Sequence, residues 1–207
     1  MPSWIDITNF GSSALLLPFA AAIAVYLMAG RAWRLASLWF ALFSIAIALV
    51  VVSKALFIGW GIGIQAIDFV GISGHTMLAS AIFPTAAYLA LHRHSLRLRI
   101  AAAGGACLLG LAVAISRVVL NAHSASEVIA GVALGFLVCI SFIVLSRRLQ
   151  GPHLSGAILL LAFGLLFAGL YGERLPTQNW IKNVALTLAG RERPFIREVW
   201  HRNAGQN

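Results

Sequence analysis

Ser116-Arg117-Val118-Val119-Leu120-Asn121-Ala122-His123-Ser124-Ala125-Ser126-Glu127 is a polar stretch lodged between two apolar runs, 100–116 and 127–146. Each run approaches the about 20 residues that a helix needs to cross a hydrocarbon core. Ionisable groups beside such runs are expensive unless they perform chemistry or line a wet cavity. A second stretch of the same kind, Ser73-Gly74-His75-Thr76, opens the apolar run 76–92. The sequence therefore reads as long apolar helices with chemistry at their ends.

Further runs extend this pattern outward, giving six expected spans at approximately 12–30, 35–53, 76–92, 100–116, 127–146 and 154–172. The fold class expected is all-α, a polytopic membrane protein built as a six-span transmembrane helix bundle. The composition agrees: 60% of the 207 residues are hydrophobic and 10% charged, against roughly a quarter charged in a soluble domain. A single domain is expected over 1–207, with 173–207 as a basic interfacial tail, because neither a fixed-period repeat nor a low-complexity linker interrupts the chain.

The net charge of +9 would point a soluble protein towards nucleic acid. In a membrane protein it reads instead as arginine-rich loops that set topology and touch anionic lipid headgroups, with no nucleic-acid partner. Arg31, Arg34, Arg93, Arg97, Arg99, Arg147 and Arg148 fall in the loops after spans one, three and five. The other loops hold Lys54 and Arg117, at or beside the polar stretches. Bases favour the cytoplasm, so both stretches are expected on the far side, most simply of a bacterial inner membrane. The tail bases Arg174, Lys182, Arg191, Arg193, Arg197 and Arg202 run against that count, since six spans place the tail outside.

Residues 55–67 are too short to span and carry three glycines, so they read as an extension of span two followed by an interfacial segment around Trp60. Trp180 to Trp200 reads as another interfacial, partly amphipathic segment. Cys107 and Cys139 lie inside apolar runs without metal-ligand spacing and read as small buried hydrophobes. The first nine residues carry neither a basic region nor a small-residue cleavage site, so the first helix is expected to be retained.

Two readings of the polar residues stand side by side. Ser73 suits a helix N-cap, and the N-terminus it opens presents free N–H groups that suit an anion; the plainer alternative is a cap followed by an interfacial histidine. His123 and Glu127 are four residues apart, on one face if both are helical, where a carboxylate would fix the imidazole tautomer. Ser124-Ala125-Ser126-Glu127 equally fits a capping box, in which Glu127 would serve the backbone alone.

Ser-Gly-His, followed by Ser-Arg, five residues, His, three residues and an acid, resembles the second and third motifs of the type 2 phosphatidic acid phosphatase superfamily. That family also includes vanadium-dependent haloperoxidases and soluble bacterial acid phosphatases. The motif resemblance covers residues 54–127, and the six-span layout extends it over most of the chain. It implies that His123 is the nucleophile forming a phosphohistidine and that His75 is the general acid. Glu127 stands where the family's third motif places its acid. Ser73, Gly74 and Arg117 would form the phosphate cradle together with Lys54, the lysine of the first motif. Neither a metal nor another cofactor is implied.

The chain departs from the pattern in three ways. Glu127 stands where the family usually has Asp, and Ile72 where the second motif often opens with Pro. Gly61 and Ile62 occupy the place of an Arg-Pro pair that should follow Lys54, while Arg193-Pro194 in the tail has that pair's composition. The expected function is a membrane phosphatase, a phosphoric ester or diphosphate hydrolase acting on a membrane lipid phosphate. The alternatives are a phosphotransferase that moves a phosphoryl group from a lipid diphosphate carrier to an acceptor lipid, and a weakened member that binds or transports lipid. The sequence sets no oligomeric state.

Overall fold

The computed structural model describes residues 3–173, 175–197 and 199–200; Arg174, Glu198 and Arg202 of the basic tail lie outside these. The helices in order are α1 (Trp4–Asn9), α2 (Ser13–Ala29), α3 (Trp33–Trp60), α4 (Gly74–Ala90), α5 (Leu96–Val119), α6 (Ala125–Ser146), α7 (Gly156–Leu170) and α8 (Thr177–Ala189). A single 3-10 turn, Gln65–Ile67, interrupts the connection from α3 to α4, and no strand is formed by the described residues.

Helices α2 to α7 stand where the six apolar runs predict them. Of the six expected spans, four fall in segments of the described residues that are long and apolar enough to cross a membrane: Trp4–Ala29, Trp33–Trp60, Leu96–Val119 and Ala125–Ser146. α4 has 17 residues and α7 has 15, short of the about 20 that span a hydrocarbon core. Phe40, Leu108, Ile129, Leu161 and Leu165 are 63–69% exposed on the outer faces. Such an apolar exterior on long apolar helices is the construction of an integral membrane protein.

α4 is the axis of the bundle. Met77, Ala79, Ser80, Ala81, Ile82 and Tyr88 along it are fully buried. α5 and α6 pack most closely on it, and small residues make the approach possible. A Cβ built on Gly131 of α6 would lie 2.7 Å from the Ser73 carbonyl oxygen, and one on Gly135 2.6 Å from that of Met77. On α5, a Cβ at Gly110 would meet Ser80 Cα at 3.0 Å. Gly131 and Gly135 sit one helical turn apart, a spacing that lets apolar helices touch backbone to backbone.

The loops after α2, α4 and α6 gather at one end of α4. There the His153 N–H donates to the Gly30 carbonyl at 2.9 Å, and Arg93 Nη2 donates to the His153 carbonyl at 2.5 Å. The two polar stretches meet at the other end.

α3 runs on to Trp60, the extension of span two expected at the start of 55–67, and Gly61 ends it in the left-handed conformation (φ 70°). Lys54 is therefore a buried residue of the helix rather than part of a loop. α5 begins at Leu96, which draws Arg97 and Arg99 into its first turn, and the Arg99 guanidinium lies 3.8 Å from the Tyr88 ring centroid. α1 was not expected; a capping box between Ser3 and Asp6 starts it. In the tail, the amphipathic α8 folds back along α3, where a Cβ on Gly59 would meet the Ala185 carbonyl oxygen at 3.0 Å.

Candidate active site

The segment Val70-Gly71-Ile72-Ser73 stitches α3 to α6. The Val70 N–H donates to Glu127 Oε1 at 3.0 Å, and the Ser73 N–H donates to the Glu127 carbonyl at 3.1 Å. Between them, Ile72 N–H donates to Ser53 Oγ at 3.1 Å. Gly71 presses on the Lys54 backbone and has φ 150°, so a side chain there would meet both steric and conformational obstacles. These contacts bring Lys54, His75, His123 and Glu127 to one end of the bundle.

The geometry unites the two readings of Glu127. Its Oε2 lies 2.6 Å from His123 Nδ1 and also accepts the Ser124 N–H at 3.2 Å, while Ser124 Oγ accepts the Glu127 N–H at 3.4 Å. One oxygen therefore completes the capping box and holds the imidazole. The carboxylate is fully buried, and its Oε1 takes the Val70 N–H and the Arg197 guanidinium. Four donors on two oxygens satisfy a carboxylate completely. Burial is the main force on the His123 imidazole and holds it below its ordinary pKa; the Glu127 bond opposes this, and the Lys54 and Arg117 charges reinforce it.

Arg117 enters from the last turn of α5. Its Nη1 donates to Thr8 Oγ1 of α1 at 3.0 Å, and its Nε is buried without a partner among the described residues. Lys54 is likewise buried without a carboxylate partner among them. Such groups are costly unless an anion completes them. His75 feels the charges of Arg117, Lys54 and His123, and the corner at Gly11 rests against its Cβ.

Three hollows that share lining residues surround these groups. One of about 510 Å³ has Lys54, Arg117, His123, Glu127 and Arg197 in its wall. A second of about 350 Å³ reaches from Lys54, Gly74 and His75 into apolar surface made by Leu17, Ile47, Val51, Leu78, Trp180 and Val184. A third of about 360 Å³ lies over His75 and Arg117 beneath α1. Gln178 of α8 borders all three. Gly74 is open: a Cβ there would meet only Val50 Cγ1, at 3.6 Å.

Ser73 stands apart from the other motif residues. It occupies the N-cap position of α4, yet its side chain makes no cap bond; it is fully buried, and its hydroxyl pairs with Thr76 Oγ1 at 3.0 Å. Sequence reasoning also missed Arg197, Thr8 and Gln178. None has a fixed spacing from the motifs, and all arrive through tertiary folding. Arg193, whose Arg-Pro dipeptide drew attention, is exposed, and its carbonyl accepts from Arg191 Nε at 3.4 Å. Among the described residues no three His, Cys, Asp or Glu side chains cluster as a metal site requires.

No solved structure matches the chain significantly. A Klebsiella pneumoniae protein described as an uncharacterized 22.5 kDa protein in the cps region is 39% identical over 98% of this chain and 99% of its own length. The family model described as PAP2 superfamily matches residues 63–150. That segment carries His75, Arg117, His123 and Glu127, which lie together at one end of the bundle, and the chain belongs to the PAP2 superfamily.

Proposed function

We propose that the protein is an integral membrane phosphatase that hydrolyses a lipid phosphate or diphosphate through a phosphohistidine. The observation that carries this reading is the 2.6 Å contact between His123 Nδ1 and Glu127. It assigns the Nδ1 edge of the ring to the carboxylate and leaves Nε2 as the nucleophile of a residue in the cavity wall.

In this mechanism Nε2 attacks phosphorus, and the bond to the leaving oxygen breaks as His75 gives that oxygen a proton. Glu127 stabilises the positive charge that develops on the imidazole. Lys54, Arg117 and the N–H groups at the start of α4 balance the charge on the phosphoryl oxygens. Water then attacks the phosphohistidine and releases inorganic phosphate. Ser73 contributes by shaping the turn that presents Gly74 and His75.

The apolar hollow running from Lys54 and His75 supports a lipid substrate, because it gives a hydrocarbon chain a place beside the phosphoryl site. With α4 and α7 also crossing the bilayer, six spans put the arginine-rich end in the cytoplasm and the site on the opposite face of a bacterial inner membrane. Anionic headgroups would then meet the basic loops.

The test is to trap the intermediate. Purified protein given a lipid phosphate labelled in its phosphoryl group should acquire acid-labile label on His123, and His123→Ala should lose both label and turnover. Wild-type hydrolysis by a folded His123→Ala protein would sink the mechanism. Adding an acceptor lipid separates transfer from hydrolysis.

A further inference from the structure

Arg197 lies outside the segment matched by the family, yet its guanidinium bridges two carboxylates at the site. Nη2 pairs with Glu127 Oε1 at 2.5 Å, and Nη1 with Asp68 Oδ2 at 3.0 Å. The chain on either side of it is held against α3. The Phe195 N–H donates to the Ile58 carbonyl at 3.0 Å, and the Trp200 ring packs edge-on against Phe57 at 5.3 Å. Gly61 leaves room for Phe195, since a Cβ there would meet the ring at 3.0 Å. A tail resting loosely on lipid would need none of these.

We propose that Arg197 is a positioning residue: through its bond to Glu127 it keeps His123 neutral and its Nε2 available for attack. This rests on the phosphohistidine reading above. Glu127 is fully buried, so its charge must be balanced inside the protein. Two cations are placed to do this, Arg197 on Oε1 and a protonated His123 on Oε2. With Arg197 present the guanidinium carries the balance, and the imidazole needs to give only its Nδ1–H. Without it the carboxylate draws a second proton onto the ring, and the nucleophile is lost at neutral pH.

The other charged groups facing His123 do not replace this effect. Lys54 from α3 and Arg117 from α5 disfavour a second positive charge on the ring, and His75 faces it from α4, but none of the three makes a bond to Glu127. Asp68 holds the far side of Arg197 and fixes its orientation. The chain lacks the arginine expected after Lys54. The site nonetheless holds a guanidinium, and it is directed at the histidine's carboxylate.

The experiment compares wild type with Arg197→Gln and Arg197→Lys, adding Arg197→Met, which keeps the packing of the stem, where glutamine does not fold. Titration of the His123 imidazole by nitrogen-15 NMR in detergent needs no substrate and so does not depend on the phosphatase reading. The expected result is a His123 titration moved to higher pH in the glutamine and methionine variants and restored towards wild type in the lysine variant.

Inorganic phosphate should bind all of them with similar affinity. In turnover, the loss at pH about 6 should exceed that at pH about 8.5 by roughly tenfold, the effect of one unit in the imidazole titration. An unmoved His123 titration overturns the proposal: with weakened phosphate binding Arg197 is a substrate ligand, and with unchanged binding it is only a fastener. If wild type hydrolyses no lipid phosphate, the functional reading fails while the titration still decides the role of Arg197.

Discussion

The Ser73 N–H donates to the Glu127 carbonyl at 3.1 Å, and this bond joins the two polar stretches into one site. It depends on a glycine. Gly131 lies one turn beyond Glu127, and any Cβ there would come within 2.7 Å of the Ser73 carbonyl oxygen. Gly131→Ala should therefore push α6 off the start of α4. The expected cost is about 1–3 kcal/mol for overpacking, together with a loss of turnover as His75 and His123 separate. Thermal unfolding in detergent, measured alongside activity, checks both; an unchanged melting temperature would contradict the close packing.

Gly74 should behave in the opposite way. Its Cβ position is open, so Gly74→Ala should leave the melting temperature unchanged, apart from a small gain in helix propensity. The added methyl would instead project into the apolar hollow beside the phosphoryl site, raising KM for a lipid phosphate. A stable variant with wild-type KM would show that substrate does not approach this backbone.

The motifs and their neighbourhood were legible in the sequence because their chemistry is local. His123 and Glu127 are four residues apart and meet at the start of α6, with His123 just ahead of the Ser124 cap and not on the helix itself, and the apolar runs located α2 to α7 to within a few residues. The 17-residue length of α4 was harder to see. Apolar composition cannot distinguish a helix that faces lipid from one buried among other helices. Thr8 and Arg197 were not legible for a different reason. Arg117 and Glu127 need partners, but hydrogen-bonding demand has no sequence period, and those partners come from near the two ends of the chain. The exposed Arg193 had the more suggestive neighbour, proline, and the wrong position.

The pH dependence follows from the setting of His123. Burial holds its titration below the ordinary histidine value of 6.5. The imidazole is neutral above its folded-state pKa and gains a proton as pH falls through it, so attack by Nε2 fails only at acid pH. The acid limb of kcat/KM, which reports the free enzyme, should accordingly lie below 6.5. A limb at or above that value, with chemistry limiting, would show that Glu127 outweighs burial.

Topology can be tested with single cysteines placed in a background free of Cys107 and Cys139. The proposed orientation puts positions 97 and 148 in the cytoplasm and position 124 on the far side, because the arginine-rich loops and the site occupy opposite ends of α4. A membrane-impermeant thiol reagent applied to intact cells should label 124 and spare 97 and 148. The reverse pattern would invert the protein and place its substrate in the inner leaflet.

Glu127 offers the sharpest test, because one of its oxygens serves both the helix cap and the histidine. Glutamine in its place can still accept the Ser124 N–H, so the cap alone predicts a small change in Glu127→Gln. The amide carries no charge to stabilise an imidazolium and, turned the other way, presents N–H to Nδ1 and favours the wrong tautomer. It would also leave Arg197 without one of its two carboxylates. The expected fall in kcat is large, on the order of the 10⁴ seen when a triad acid becomes an amide, with the helical signal of the protein intact. Glu127→Asp keeps the charge but shortens the reach by one methylene in a site where four donors converge on the longer side chain. It should retain part of the activity and lie between wild type and the amide. Wild-type turnover in a folded Glu127→Gln protein would reduce Glu127 to a cap and leave the 2.6 Å contact with His123 without a catalytic role.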